Sequence, residues 1–233
     1  EPVSWDEALQ ELAARIQQAR EAHGDWSVSW IRGQACGWGF SYDMAQRLVH
    51  CIGIEIGFGA SECFVPRAVA EAVSYGSPAL YYDIPKTDLM IFWGRQPAFS
   101  SAPGVRTIFD ARDRGAKLIA IDPLAFHFNA TVDQLIQIVP GTDMAMMLAM
   151  IHVIIEEGLW DKEFVDKYTN DPGLTHLSAH IRGDNREQTA YTPEWAEGIT
   201  GVDAATSRSL AREYATTPRA AILPGHGLEG RIN

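Results

Sequence analysis

The sequence predicts an α/β protein: mostly parallel, Rossmann-like sheet with helices on both faces. Three observations carry that prediction. Short apolar runs alternate with segments of helical period along the chain, as βαβ units require. Asp88–Trp93 (DLMIFW), Lys117–Ile121 (KLIAI) and Leu135–Val139 (LIQIV) are nearly continuous in their apolar character, as strands covered on both faces are. Each of these runs stops in polar or glycine-rich punctuation: WGRQP, IDP and PGTD.

The elements follow in order. Ser4-Trp5-Asp6-Glu7 reads as a capping box, after which Trp5, Leu9, Leu12, Ile16 and Ala19 recur at helical spacing. A strand is expected over Ser27–Ile31, then a loop carrying Gly33, Gly37 and Gly39. Ser41 can cap a second helix with Met44, Leu48, Val49 and Ile52 on one face and Gly53 at its end. A short strand at Ile54–Ile56 and a helix at Val65–Val73 come next. Beyond strand Asp88–Trp93, a helix over Val105–Arg114 is closed by Gly115. A Met-rich helix runs from Asp143 to Glu157, its Met144, Met146, Met147 and Met150 read as core packing. Shorter helices are expected at Asp161–Tyr168, Pro193–Glu197 and Asp203–Tyr214. A last strand at Ala220–Leu223 ends in Pro224-Gly225-His226-Gly227, and the polar stretch Pro172–Gln188 reads as a surface excursion.

Composition excludes several functions. The net charge of -11 comes without a basic patch or stripe, which argues against a nucleic-acid partner. No apolar run approaches the roughly 20 residues of a membrane span. Three cysteines, Cys36, Cys51 and Cys63, without CxxC spacing argue against a zinc knuckle, a disulfide scaffold or an iron–sulfur cluster held within this chain. The start at Glu1-Pro2 and the stop at Arg231-Ile232-Asn233 read as the limits of a piece of a longer polypeptide.

In an open parallel sheet, ligands bind beyond the carboxyl ends of the strands. The candidates there are Gly94, Gln96, Asp122, Gly141, Thr142, Asp143, Gly225, His226 and Gly227. Asp122 and Asp143 are carboxylates able to accept two hydrogen bonds from a base edge or a ribose. Each also has a plain structural use, Asp122-Pro123 as a turn and Thr142-Asp143 as a helix cap. No GxGxxG follows a strand, and no GxxxxGK[ST] exists, so neither an ordinary NAD site nor a P-loop is predicted.

SWDEAL, the IDP step with Thr131 and Asp133, LIQIVPGTDMAMMLAMIHVIIEEGLWDKEFVDKYT, YTPEWAEGITGV and LAREYA together resemble the molybdopterin oxidoreductase family, the dimethyl sulfoxide reductase superfamily. The resemblance runs through nearly the whole chain in one order. It implies molybdenum or tungsten held between two molybdopterin guanine dinucleotides, with Cys63 at the position of the family's protein ligand to the metal. It implies that Gly94 and the residues after it line a pyranopterin dinucleotide. By the same resemblance Asp122 reads guanine or ribose, Gly141, Thr142 and Asp143 meet the guanosine end, and Gly225–Gly227 approaches a pterin. Gln96 stands where the family often has Asn, and Leu124 where Arg often follows Asp-Pro.

The resemblance further implies two interleaved subdomains. Residues 1–60 would begin one α/β domain, 61–218 would form an inserted dinucleotide-binding domain, and 219–233 would return a strand to the first. A [4Fe-4S] cluster is implied only for an N-terminal part that this chain lacks. An electron-transfer subunit and a small-molecule substrate are implied as well, and the compartment, bacterial or archaeal cytoplasm or periplasm, stays open. The function expected is two-electron redox, with a noncatalytic relative of the same fold or a hydratase-like member as the alternatives.

Overall fold

The structure, a computed structural model, describes residues 2–32, 40–58, 64–77, 81–125 and 127–228. Cys36 and Cys63 therefore lie outside the described residues, as do Gly33, Gly37 and Gly39. The chain divides into two compact units, Glu1–Pro78 and Ala79–Asn233.

The first unit holds α1 (Trp5–His23), β1 (Ser29–Arg32), α2 (Phe40–Ile52), β2 (Glu55–Phe58) and α3 (Phe64–Tyr75). Ser4 caps α1 by accepting the Glu7 N–H at 3.3 Å, and Gly24, at φ 89°, ends it. β1 and β2 pair in parallel from Ser29↔Glu55 to Arg32↔Phe58, with α2 as the crossover. The Ser27–Ile31 strand begins later than expected because Asp25–Ser27 is a 3-10 turn, in which the Ser27 hydroxyl donates to the Gly24 carbonyl at 2.7 Å. The apolar stripe of α1 stays largely in solvent, with Leu9 and Leu12 each 56% exposed.

The second unit contains β3 (Leu89–Trp93), α4 (Pro97–Ser100), α5 (Ala102–Asp113), β4 (Lys117–Ile121), β5 (Gln134–Ile136) and α6 (Asp143–Glu156). α7 (Lys162–Tyr168), α8 (Thr175–Ile181), α9 (Pro193–Thr200), α10 (Ala204–Thr216) and β6 (Ala220–Pro224) complete it. Its four strands run β5-β4-β3-β6, every neighbouring pair parallel. All five β3 residues are buried, as their apolar run predicts. Leu89, Ile91 and Trp93 point to Met146, Met150 and Val153 of α6 and Leu210 of α10. Met90 and Phe92 point to Ile108 and Ala111 of α5 on the opposite face. Helices thus cover both faces, because the chain winds outward in both directions from β3 and right-handed crossovers put the two sets of helices on opposite sides.

β6 pairs with β3 from Leu89↔Ala220 to Trp93↔Pro224. The free edge of β3 offers five ladder positions, and Arg219 clasps Asp88 through both carboxylate oxygens at 2.7 and 2.8 Å. β5 stops at Ile136, short of Val139, because the Val139 N–H donates to the Thr200 carbonyl at 3.0 Å instead of continuing the ladder. The stretch Pro172–Gln188 is not only surface: it forms α8, whose Ile181 is fully buried against Ile155 and Tyr191. Of the methionines, Met146 and Met150 are core but Met144 is exposed.

The helix starts follow their caps. Asp161, Thr192 and Asp203 accept the N–H groups of Phe164, Trp195 and Thr206 at 2.9, 3.2 and 2.8 Å. The Asp203 carboxyl is held below its ordinary pKa, first by the Thr206 hydroxyl and then by the Thr206 N–H. Arg212 grips Glu157, and Arg182 grips Glu156, and these hydrogen bonds lower both carboxyls. A depressed folded pKa contributes stability above the unfolded value and loses it as pH falls through the folded one. Thermal melts should therefore fall modestly between pH 6 and about pH 3, below the ordinary carboxylate range. Replacing Glu157 by Gln should shrink that fall; an unchanged acid slope would contradict it.

Candidate functional site

The carboxyl ends of β3, β4 and β6 are stitched together beyond the strands themselves. The Gly94 N–H donates to the Ile121 carbonyl at 2.8 Å, and the Gly225 N–H donates to the Trp93 carbonyl at 2.8 Å. β6 lies on one side of β3 and β4 on the other, so the sheet's topological switch point falls here. Gly225 is packed so closely that a Cβ built on it would sit 1.9 Å from the Gly94 carbonyl oxygen. Gly94 itself has φ 58°, a left-handed conformation in which a side chain is strained.

A cleft of about 170 Å³ opens over these ends. Gly94, Asp122, Gly141, Asp143 and Gly227 line it, with Pro123, Ile138, Pro140 and Leu228 as its apolar part. Five of the residues picked from strand-end punctuation therefore converge on one space, although they come from loops up to 133 positions apart. That volume lies below the roughly 300 Å³ of a whole small-ligand pocket, so it suits one ring system at the end of a longer ligand.

The two carboxylates are built in alike ways. Asp122 is 6% exposed, and its Oδ1 accepts the Leu124 N–H at 2.8 Å, closing an Asx turn. The Leu124 carbonyl in turn accepts a hydrogen bond from Asn129 Nδ2 at 2.8 Å. Asp143 is half-buried at the first position of α6, and its Oδ1 accepts the Trp93 indole N–H at 2.8 Å. The positive end of the α6 dipole also favours a carboxylate there. A cleft with two oriented acceptors, glycine backbone and apolar walls can hold a flat heterocycle or a ribose that donates hydrogen bonds.

The other described candidates are not in its lining. Gln96 precedes α4, and its Oε1 is buried without a partner among the described residues. Thr142 turns its hydroxyl back to the Val139 carbonyl at 2.7 Å and makes no side-chain cap for α6. His226 is exposed on the 3-10 turn His226–Leu228, and Gly225 serves the close approach of β6 to β3. Cys63 falls outside the described residues, and among those no cluster of three or more His, Cys, Asp or Glu is arranged to hold a metal ion. No helix among them is long and apolar enough to cross a membrane.

Strand-end reasoning missed two residues, Trp93 and Asn129. Trp93 carried a signal: an indole N–H at the end of a buried strand must find an acceptor. Asn129, 2% exposed, carried none.

Residues 1–233, the whole chain, match the family model described as molybdopterin oxidoreductase. The chain is 34% identical over 260 residues to dimethyl sulfoxide reductase DmsA of Haemophilus influenzae, covering 99% of this chain and 32% of that protein. It is 34% identical over 237 residues to formate dehydrogenase H of Escherichia coli, covering 98% of this chain and 31% of that protein. The chain thus spans about a third of the length of these relatives. Among solved structures, acetylene hydratase from Pelobacter acetylenicus shares the fold, with a TM-score of 0.71 at 24% identity, covering 97% of this chain and 30% of that one.

Proposed function

The chain belongs to the molybdopterin oxidoreductase family, and from that premise we propose that it is the central α/β portion of a molybdenum- or tungsten-dependent oxidoreductase. Membership brings a molybdopterin cofactor with Mo or W; the proposal adds that the cofactor is the bis-molybdopterin guanine dinucleotide form. The observation that carries it is the convergence of Gly94, Asp122, Gly141, Asp143 and Gly227 on one cleft at the strand ends. With the nucleotide end of the cofactor held there, its metal–pterin group would supply two-electron redox chemistry, with oxygen- or sulfur-atom transfer or dehydrogenation as its outlets.

The chain's own residues bind and orient. Asp122 and Asp143 accept N–H or O–H donors from the guanine edge or the ribose. Gly94, Gly141 and Gly227 let the backbone come close to the ligand, and Gly225 keeps β6 against β3 beneath it. The buried Oε1 of Gln96 is an acceptor for a further ligand N–H, a longer-armed substitute for Asn. Thr142 and His226 complete the rim. Cys63 is the proposed protein ligand to the metal, since a thiolate suits a sulfur-rich Mo or W site and stays deprotonated when bound. An electron-transfer subunit, a small-molecule substrate and a [4Fe-4S] cluster held elsewhere are the proposed companions of this portion.

The test is the metal and pterin content of the full-length protein isolated anaerobically, as wild type and as Cys63→Ser. Near-stoichiometric Mo or W with about two pterins per metal is expected, along with a metal spectrum altered in the variant. An unchanged spectrum would leave Cys63 as packing. Absence of both metal and pterin, from cells that supply the cofactor to other enzymes, would remove the redox reading altogether.

A further inference from the structure

We propose that Trp93 is a positioning residue for this cleft, its indole N–H fixing the Asp143 carboxylate in the orientation that receives the ligand's hydrogen-bond donors. The inference rests on the reading of Asp143 as a ligand contact given above.

Trp93 is the last residue of β3, fully buried in the core between sheet and α6. A buried indole N–H needs an acceptor. Backbone carbonyls at the neighbouring strand ends are already engaged: Ile121 by the Gly94 N–H, Trp93 by the Gly225 N–H. The carbonyl of Val139, before α6, takes both the N–H and the hydroxyl of Thr142. The indole reaches instead to Asp143 Oδ1, 2.8 Å away and 50 residues along the chain.

For Asp143 this is an unusual use. An Asp in the first turn of a helix commonly serves the helix's own N–H groups. Here one oxygen is tied to the strand below, while the residue lines the cleft. Each carboxylate oxygen carries two lone pairs, so Oδ2 and the second lone pair of Oδ1 remain for a ligand edge with two adjacent donors. Asp122 repeats the device, with Oδ1 held by the Leu124 N–H. A carboxylate already held loses less rotamer freedom when a ligand binds.

The experiment measures guanine released by acid hydrolysis per chain of purified, dialysed full-length protein. Trp93→Phe removes the N–H and trims the ring. Replacing Trp93 by β-(3-benzothienyl)alanine removes the N–H while keeping the bicyclic shape, so a folding defect cannot stand in for the effect. Both are expected to retain less guanine after dialysis, because loss of a hydrogen bond to a charged group weakens the hold on that end about tenfold. Asp143→Ala should fall at least as far, and the double variant with Trp93→Phe should fall no further than Asp143→Ala, because both act through one carboxylate. The melting temperature of the isosteric variant should stay near wild type. Wild-type guanine in the isosteric variant, or losses that multiply in the double variant, would overturn the inference alone. Wild-type guanine in Asp143→Ala would overturn the reading of Asp143 and this inference with it.

Discussion

Gly225→Ala should melt roughly 10 °C below wild type, or fail to fold its second unit. The added Cβ would sit 1.9 Å from the Gly94 oxygen, 2.7 Å from the Gly94 carbonyl carbon and 3.1 Å from Arg95 Cα. All three are backbone, so no side chain can swing aside. Relief requires β6 to part from β3, which breaks the 2.8 Å bond from the Gly225 N–H to the Trp93 carbonyl. Overpacking of this kind with a lost hydrogen bond costs about 3 kcal/mol or more. The damage falls at the mouth of the cleft, so cofactor content should drop with stability. Gly227→Ala is the control for melting alone, since a Cβ there meets nothing of the protein within 4 Å. Two variants with equal melting temperatures would refute the close approach.

Phe92→Ala should lose about 3–5 kcal/mol, seen as a lower urea midpoint. Phe92 is fully buried and meets Phe128 edge-on, with ring centroids 4.9 Å apart at 73°. Its removal leaves a cavity between the sheet and α5, where Leu118 and Ile108 also pack. The effect should reach the site as well. Phe128 immediately precedes Asn129, whose amide supports the Leu124 carbonyl and, through Leu124, the Asp122 turn. Phe92→Leu keeps most of the volume and should cost under about 1.5 kcal/mol. Equal losses for the two variants would show that volume at this position does not govern stability.

Much of the candidate site was legible because strand ends announce themselves. A buried parallel strand needs an apolar run, and the chain must turn where that run stops, so Gly94, Asp122 and Gly141 stood out by position alone. The same reasoning did not separate the lining residues Asp143 and Gly227 from Thr142 and His226, one position away from them. Thr142 folds its hydroxyl onto Val139, while Asp143 enters the cleft. Helical spacing gave α1 its stripe but not the exposure of that stripe. α8 went unseen because its polar surroundings masked Ile181, which only packing reveals as a buried anchor.

Local chemistry, then, determined which segments of this protein are strands or helices and where the chain turns at each strand's carboxyl end. It also carried the family resemblance, because the order of such segments is a property of the chain. Tertiary structure alone decided the strand order β5-β4-β3-β6, the pairing of β6 with β3, and the tie from Trp93 to Asp143. These join residues 15 to 131 positions apart. Periodicity and capping act over a few residues, whereas such contacts depend on which free edges and buried donors remain when the core closes.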